Sequence, residues 1–232
     1  MIKLNSKSKK LILLQRNELL SKKQSWLRRK FGRFIFTNLL VNFFQIKNIE
    51  KITEDLFKKE FDTFKNFLTK NLDNIMDIGC GLGIIDILLN NYYKNEINFY
   101  LLDKNKIDVK IKYGFSRNYE SYNSLKETQN LLLKNDINID QLNIFDVDRK
   151  IEINKKIDLV ISLKSMGYHY PIDIYIKLLK NCCDANTIFI FDVSEGYLNN
   201  NSFKKYFEFI NIIYEENSVH SLKRLFCKGL KF

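Results

Sequence analysis

Asp77-Ile78-Gly79-Cys80-Gly81-Leu82-Gly83 is the stretch on which the reading of this chain turns. It ends the short apolar run Asn74–Ile78 and opens a second one, Ile84 to Leu89. An acid closing an apolar strand, followed by glycines at alternate positions, predicts a tight turn whose backbone presses against a ligand. Only residues without a Cβ allow that approach at low steric cost. The helix that follows offers free N–H groups at its start. A nucleotide-like cofactor suits such a turn, and the spacing narrows which one. A dinucleotide fingerprint, G-x-G-x-x-G, would place its third glycine at Ile84, whereas Gly83 comes one residue early. No Lys-Ser/Thr pair follows the turn, which excludes a phosphate-cradling P-loop.

Beyond the turn, short apolar runs alternate with helical stretches. Strands are expected at Asn74–Ile78, Ile97–Leu102, Ile139–Phe145, Ile157–Leu163 and Thr187–Val193. Between them, helices are expected from Gly83, around Ser124–Asn135 and around Ile172–Asn181. This alternation predicts βαβ units, a parallel sheet and helices on both faces. Phe207–Tyr214 and Val219–Lys228 flank Glu215-Glu216-Asn217-Ser218 and read as a closing antiparallel pair. Upstream, Thr53-Glu54-Asp55 reads as the start of a helix running to Thr69, with acids in its first turn.

The acid-x-Gly-x-Gly-x-Gly pattern resembles motif I of class I S-adenosylmethionine (SAM) dependent methyltransferases. The resemblance covers about residues 71 to 232. It implies a Rossmann-like, seven-stranded, mostly parallel α/β sheet with an antiparallel C-terminal strand, and SAM as cofactor. Asp77, Gly79, Cys80, Gly81 and Gly83 would form the cofactor turn. Asp103, with Lys104 beside it, ends the second strand twenty residues past Gly83, where the family's acid takes both ribose hydroxyls. Asp146, preferred over Asp148, falls where the family often holds the adenine amino group, with Phe145 on the ring. The run Asp158–Leu163, ending in Ser162-Leu163, resembles the fourth strand, which leads from the cofactor toward the transfer site.

Methyl transfer from a sulfonium requires the acceptor to be positioned and, for a hydroxyl, deprotonated. After the fourth strand the chain reads Ser162-Leu163-Lys164-Ser165-Met166-Gly167-Tyr168-His169-Tyr170-Pro171. This is not the Asn/Asp-Pro-Pro-Tyr/Phe turn of base N-methyltransferases. His169 is the candidate general base, since an imidazole titrates near neutrality; hydrogen bonding within the loop is its structural alternative. His220 is expected in a late strand, remote from this turn. The turn, with Tyr113-Gly114-Phe115 and Tyr119–Leu125, looks similar to loops of bacterial proteins described as sugar O-methyltransferases. That similarity implies a hydroxylated acceptor bordered by Tyr122, Asn123, Tyr168 and Tyr170.

Charge sets the first 70 residues apart as a basic, helical N-terminal extension. The chain of 232 residues carries a formal net charge of +11. Residues 1 to 34 hold eleven Lys and Arg against one Glu, leaving the remainder close to balance. From Ser8 to about Phe44 there is no proline, and Gly32 is the only glycine, so a continuous helix is expected. Leu13, Leu20, Leu27, Phe31, Phe34 and Ile35 share one face; Lys22, Lys23, Arg29, Lys30, Arg33 and Trp26 share another. Packing on the domain with a solvated basic face explains that pattern. The same face also suits anionic lipid or a nucleic-acid backbone.

No apolar run reaches the length of a membrane span, and Leu11–Leu14 is too short for a signal-peptide core. Cys80, Cys182, Cys183 and Cys227 have neither zinc-type spacing nor disulfide density, so no metal site and a reducing cytoplasm are expected, with peripheral membrane contact open. Three functions compete at this point: an O-methyltransferase for a sugar or other small hydroxylated acceptor, an RNA-modifying methyltransferase, and a SAM-binding scaffold without chemistry.

Overall fold

The computed structural model describes residues 1–43, 48–94, 97–107, 122–167, 169–199, 203–216 and 221–231. Four helices come first: α1 (Ser6–Gln15), α2 (Lys22–Phe31), α3 (Arg33–Phe43) and α4 (Ile49–Asp62). Then follow β1 (Asn74–Ile78), α5 (Ile84–Tyr92), β2 (Asn98–Asp103), α6 (Leu125–Lys134), β3 (Leu142–Asp146) and β4 (Leu159–Ser162). The chain ends with α7 (Ile176–Cys182), β5 (Ile188–Ser194), α8 (Glu195–Asn199), β6 (Phe207–Glu216) and β7 (Leu222–Leu230).

The strands form one seven-stranded sheet in the order β3-β2-β1-β4-β5-β7-β6. The first five pair in parallel, and β7 runs antiparallel to both β5 and β6. This is the Rossmann-like architecture expected from the alternating pattern. The order reverses between β1 and β4, and open α/β sheets bind ligands beyond the strand ends at such a switch point.

Strand periodicity divides the core in two. Ile75, Phe99, Leu101, Leu159, Ile161, Ile188 and Ile190 face one layer, where α4, α5 and α6 pack. Met76, Ile78, Tyr100, Leu102, Val160, Phe189 and Phe191 face the other, covered by Leu179 and Cys182 of α7 and by Tyr197 and Leu198 of α8. The N-terminal segment belongs to the first layer: Ile2, Leu4, Leu11, Ile12, Leu13 and Leu14 are all buried there. Burying an aliphatic side chain of this size contributes about 1.5–3 kcal/mol, so α1 is a structural part of that layer.

The expected continuous helix from Ser8 to Phe44 is instead three helices; Phe44 itself lies outside the described residues. The chain leaves helical geometry at Arg16, whose guanidinium is bonded to the Glu60 carboxylate through both Nη1 and Nη2 at 2.9 Å. It restarts at Ser21, where a reciprocal capping box with Gln24 begins α2. It turns again at Gly32, at a φ of 85°. The next helix starts at Ile49 rather than Thr53, because Thr53 is buried inside it and Ile49 already packs into the core. Two further elements are shorter than expected: Ile139–Gln141 and Ile172–Ile174 are single 3₁₀ turns preceding β3 and α7.

Candidate active site

β1 is an interior strand, hydrogen-bonded to β2 on one side and β4 on the other. Its last residues deliver the Gly79–Gly83 turn to the switch point. Gly79 N and Cys80 N both donate to Leu102 O, at 2.7 and 3.3 Å, which ties the turn to the end of β2. A Cβ on Gly79 would lie 1.8 Å from Ser165 Oγ, and the residue sits at a φ of 78°. No other residue fits there without moving the loop after β4. At Gly81, also at positive φ, a Cβ would meet the flexible end of Gln15, 2.9 Å away.

Asp103 ends β2 beside this turn. Its Oδ2 accepts from Gly81 N at 2.8 Å and from Asn123 Nδ2 at 3.0 Å, and its Oδ1 accepts from Lys104 N at 2.7 Å. Burial pushes the carboxyl up to about 6, against the opposing effect of these three hydrogen bonds. Asn123 Nδ2 and Thr128 Oγ1 both donate to Gly81 O at 2.7 Å. Asn123, expected at the acceptor border, therefore braces the glycine turn. The Lys104 side chain reaches back to Asp148, with Nζ 3.6 Å from Oδ1.

Asp77 is buried in β1, near enough to Asp86 in the first turn of α5 for the two carboxyl groups to act on each other. Neither Asp86 oxygen has a hydrogen-bond partner, so its carboxyl is buried without a donor. Burial raises both: Asp77 well above the carboxylate range, helped by the charges of Asp86 and Asp103, and Asp86 to about 7. The Cys80 thiol is also pushed well up by burial and by the nearby aspartates, the reverse of what a thiolate nucleophile needs.

Asp146 ends β3 directly beside Asp103 in the strand register. Its Oδ1 accepts from Asp148 N at 3.1 Å, and Phe145 before it is partly buried against the second core layer. Ser162 closes β4, its Oγ donating to Ile78 O at 2.6 Å and accepting from Met166 N at 3.0 Å. Its hydroxyl thus pins the following loop to the end of β1. Leu163 packs partly buried on the first layer.

In that loop Tyr170 is buried, and its hydroxyl lies 2.7 Å from Ser165 Oγ and beside Gly79. His169 is exposed, with its backbone N–H donating to Ser165 O at 2.8 Å. Tyr122 is covered by α3, with the Arg33 guanidinium 4.8 Å and the Phe34 ring 5.8 Å from its ring centre. Gln15 Nε2 donates to Tyr122 O at 2.9 Å, bringing the end of α1 to the same place. Tyr168, His220, Tyr113–Phe115 and Tyr119–Ser121 lie outside the described residues. Among the described residues there is no cluster of side chains suited to a metal ion, and no helix long and apolar enough to cross a membrane.

The site thus gathers Asp77, Gly79, Cys80, Gly81, Asp103 and Asn123 at one turn, with Ser165 and Tyr170 against its far side. Gln15, Asp86, Thr128 and Ser165 escape sequence reasoning. Of these only Asp86 leaves a local signal, as the single acid in the otherwise apolar Ile84–Leu89 run.

No protein-family model matches the chain, and comparison with curated protein sequences finds no match. Solved structures do match. The StiE O-MT piece spanning residues 961–1257 superposes with a TM-score of 0.55 at 11% identity, covering 89% of this chain and 82% of its own. The longer StiE piece, residues 942–1257, gives 0.51 at 13% identity, over 90% of this chain and 68% of that one. Magnesium protoporphyrin IX methyltransferase (ChlM) from Synechocystis PCC 6803, with bound SAM, gives 0.48 at 15% identity over 98% and 99%. At these identities the StiE superpositions establish the fold, in agreement with the strand order.

Proposed function

We propose that the protein transfers a methyl group from SAM to a hydroxyl of a small acceptor, a sugar being the preferred class. The observation that carries this reading is the Asp103 carboxylate, held against Gly81 N at the switch point of a Rossmann-like sheet. Its Oδ1 has Lys104 N as its one partner among the described residues, so it can still accept from a ribose hydroxyl. The glycine turn supplies the close backbone approach, and Asp146 and Phe145 flank the place an adenine would occupy. The residues present therefore fit SAM, whose bound form supplies an electrophilic methyl group.

The chain's own contribution is positional and acid–base. Asp103 would fix the ribose, while Ser162, through Ile78 O and Met166 N, holds the acceptor loop to the cofactor turn. Tyr170 lines the inner wall of that loop. His169, exposed on it, takes the hydroxyl proton as the acceptor attacks. An in-line displacement needs little else once the two groups are oriented.

Calorimetry of SAM binding tests the cofactor half. Gly81→Val or Asp103→Ala should abolish or weaken binding, and full binding by both variants would sink the reading. Labelled methyl transfer onto nucleotide sugars, envelope glycans and RNA tests the acceptor. Incorporation into RNA alone would replace the sugar reading with the RNA-modifying one. Once a substrate is known, His169→Ala should lower turnover with SAM affinity unchanged; unaltered turnover removes the general base.

A further inference from the structure

The positive excess of the N-terminus separates into two populations. Four of the five cations of α1 and its flanks pair with acids of the domain body, Lys10 being the exception among the described residues: Lys3 with Asp136, Lys7 with Glu127, Lys9 with Glu50, and Arg16 with Glu60. Those of α2 do not. Lys22, Lys23, Arg29 and Lys30 are exposed, and none has a carboxylate partner among the described residues. The sequence contains no Asp or Glu between Glu18 and Glu50.

Large apolar side chains are exposed on the same two helices. Trp26 is 54%, Phe31 52% and Ile35 62% exposed, and Leu39 follows Ile35 by one turn on the same side of α3. Lys22, Lys23, Trp26 and Leu27 line an open hollow of about 380 Å³, and Lys30 Nζ sits 5.2 Å from the centre of the Trp26 ring.

We propose that the exposed face of α2 and α3 docks on an anionic lipid bilayer. A basic helix that also shows a tryptophan and aliphatic side chains is the arrangement a headgroup–acyl boundary rewards, through charge attraction and apolar burial together. A nucleic-acid backbone would use the cations but gains nothing from exposed Ile35 and Leu39. The face adjoins the candidate active site, because α3 carries both Ile35 and the Arg33 and Phe34 that cover Tyr122. Docking would hold the acceptor side near membrane-borne molecules. The inference itself concerns binding and does not depend on methyl transfer.

Trp26 is the only tryptophan in the chain, so its emission reports this face alone. The full chain would be mixed with phosphatidylcholine vesicles, with and without phosphatidylglycerol, and followed by co-sedimentation and fluorescence. Salt-sensitive co-sedimentation with the anionic vesicles only, with a blue shift of Trp26, is expected. Replacing Lys22, Lys23, Arg29 and Lys30 together by Gln should weaken partitioning several-hundredfold, at about fivefold per cation. Ile35→Ser should weaken it while leaving the charge intact. All five side chains are exposed, so circular dichroism and Tm should match the parent. No binding to anionic vesicles, equal binding to neutral ones, or binding without a Trp26 shift would each overturn the proposal. So would charge-dependent retention by a structured RNA in the absence of vesicle binding.

Discussion

Asp103→Asn, measured as a function of pH, tests the cofactor reading at its centre. In the folded chain the carboxyl is pushed up to about 6 from its ordinary 3.8. That gap corresponds to about 3 kcal/mol of difference between protonated and ionised forms. Because the folded value is the higher one, the group's contribution to stability is complete below pH 3.8 and is lost as pH rises through about 6. The ionised state that binding requires is thus the one the empty fold disfavours. Hydroxyl donors on the charged carboxylate contribute about 1.5–3 kcal/mol each, against about 0.5–1.5 for a neutral amide oxygen. With one ribose hydroxyl on the remaining Oδ1 site, Asp103→Asn should weaken SAM binding by about 1–1.5 kcal/mol, or about 5- to 13-fold. The parent should hold its full affinity above pH 7 and weaken by about tenfold at pH 5, where only about a tenth of Asp103 is ionised. Asn at this position should give a flat profile. Isothermal titration calorimetry from pH 5 to 8 reads both variants directly. A parent affinity that does not change with pH, or an Asn variant with parental affinity at pH 8, would refute the role given to Asp103.

Three other substitutions probe the frame around the site. Gly79→Ala places a Cβ 1.8 Å from Ser165 Oγ at a φ of 78°; left-handed strain and overpacking together should cost about 2–5 kcal/mol by chemical denaturation. A loss below 1 kcal/mol would mean the loop after β4 yields freely. Arg224→Met breaks a buried bidentate pair, Nε to Asp192 Oδ1 at 2.7 Å and Nη2 to Oδ2 at 2.8 Å, with the residues 1% and 0% exposed. It should cost about 3–5 kcal/mol, and adding Asp192→Asn should recover part of that, because no charge is then left buried alone; a double variant weaker than the single would contradict this. Asp86→Asn replaces a carboxyl that burial raises to about 7, so the parent should lose stability as pH rises through 7, and the variant, left with Asp77 alone, should lose less. Parallel Tm profiles from pH 6 to 8 would show that Asp86 does not hold a proton in the folded chain near neutrality.

The parts of this molecule that were legible in sequence are those whose cause is local. β1, its glycine turn and α5 come from an apolar strand, three Cβ-free positions and an apolar helix in immediate succession, so spacing alone assigns them. Asp103 and Asp146 were found because strand ends recur at predictable intervals, and the β2–β3 register does set them side by side. What failed depends on distant partners. Arg16 breaks the N-terminal helix by reaching Glu60, forty-four residues away, and no helical propensity signals that. For Asn123, expected at the acceptor border from the look of its neighbouring loops, the bonds of its amide back to Gly81 O and Asp103 have no signal in the local sequence. Gln15 and Ser165 touch the glycine turn only through the fold, and nothing in their local sequence marks them.

The N-terminal charge shows why such contacts matter for function. In sequence, eleven cations within thirty-four residues form one basic helix, and its solvated-face, lipid and nucleic-acid readings cannot be separated. Folding divides them. Lys3, Lys7 and Lys9 face acids in the turn after α6, on α6 and on α4, so their charge is largely cancelled where they lie. After the break at Arg16 the chain runs through a segment without acids, and the α2 cations keep their field. A uniform basic tail would distribute attraction along its length and require no exposed apolar groups. Here the uncancelled charge coincides with Trp26, Phe31 and Ile35. The break at Arg16 is therefore what separates the paired cations near α1 from the unpaired ones on α2.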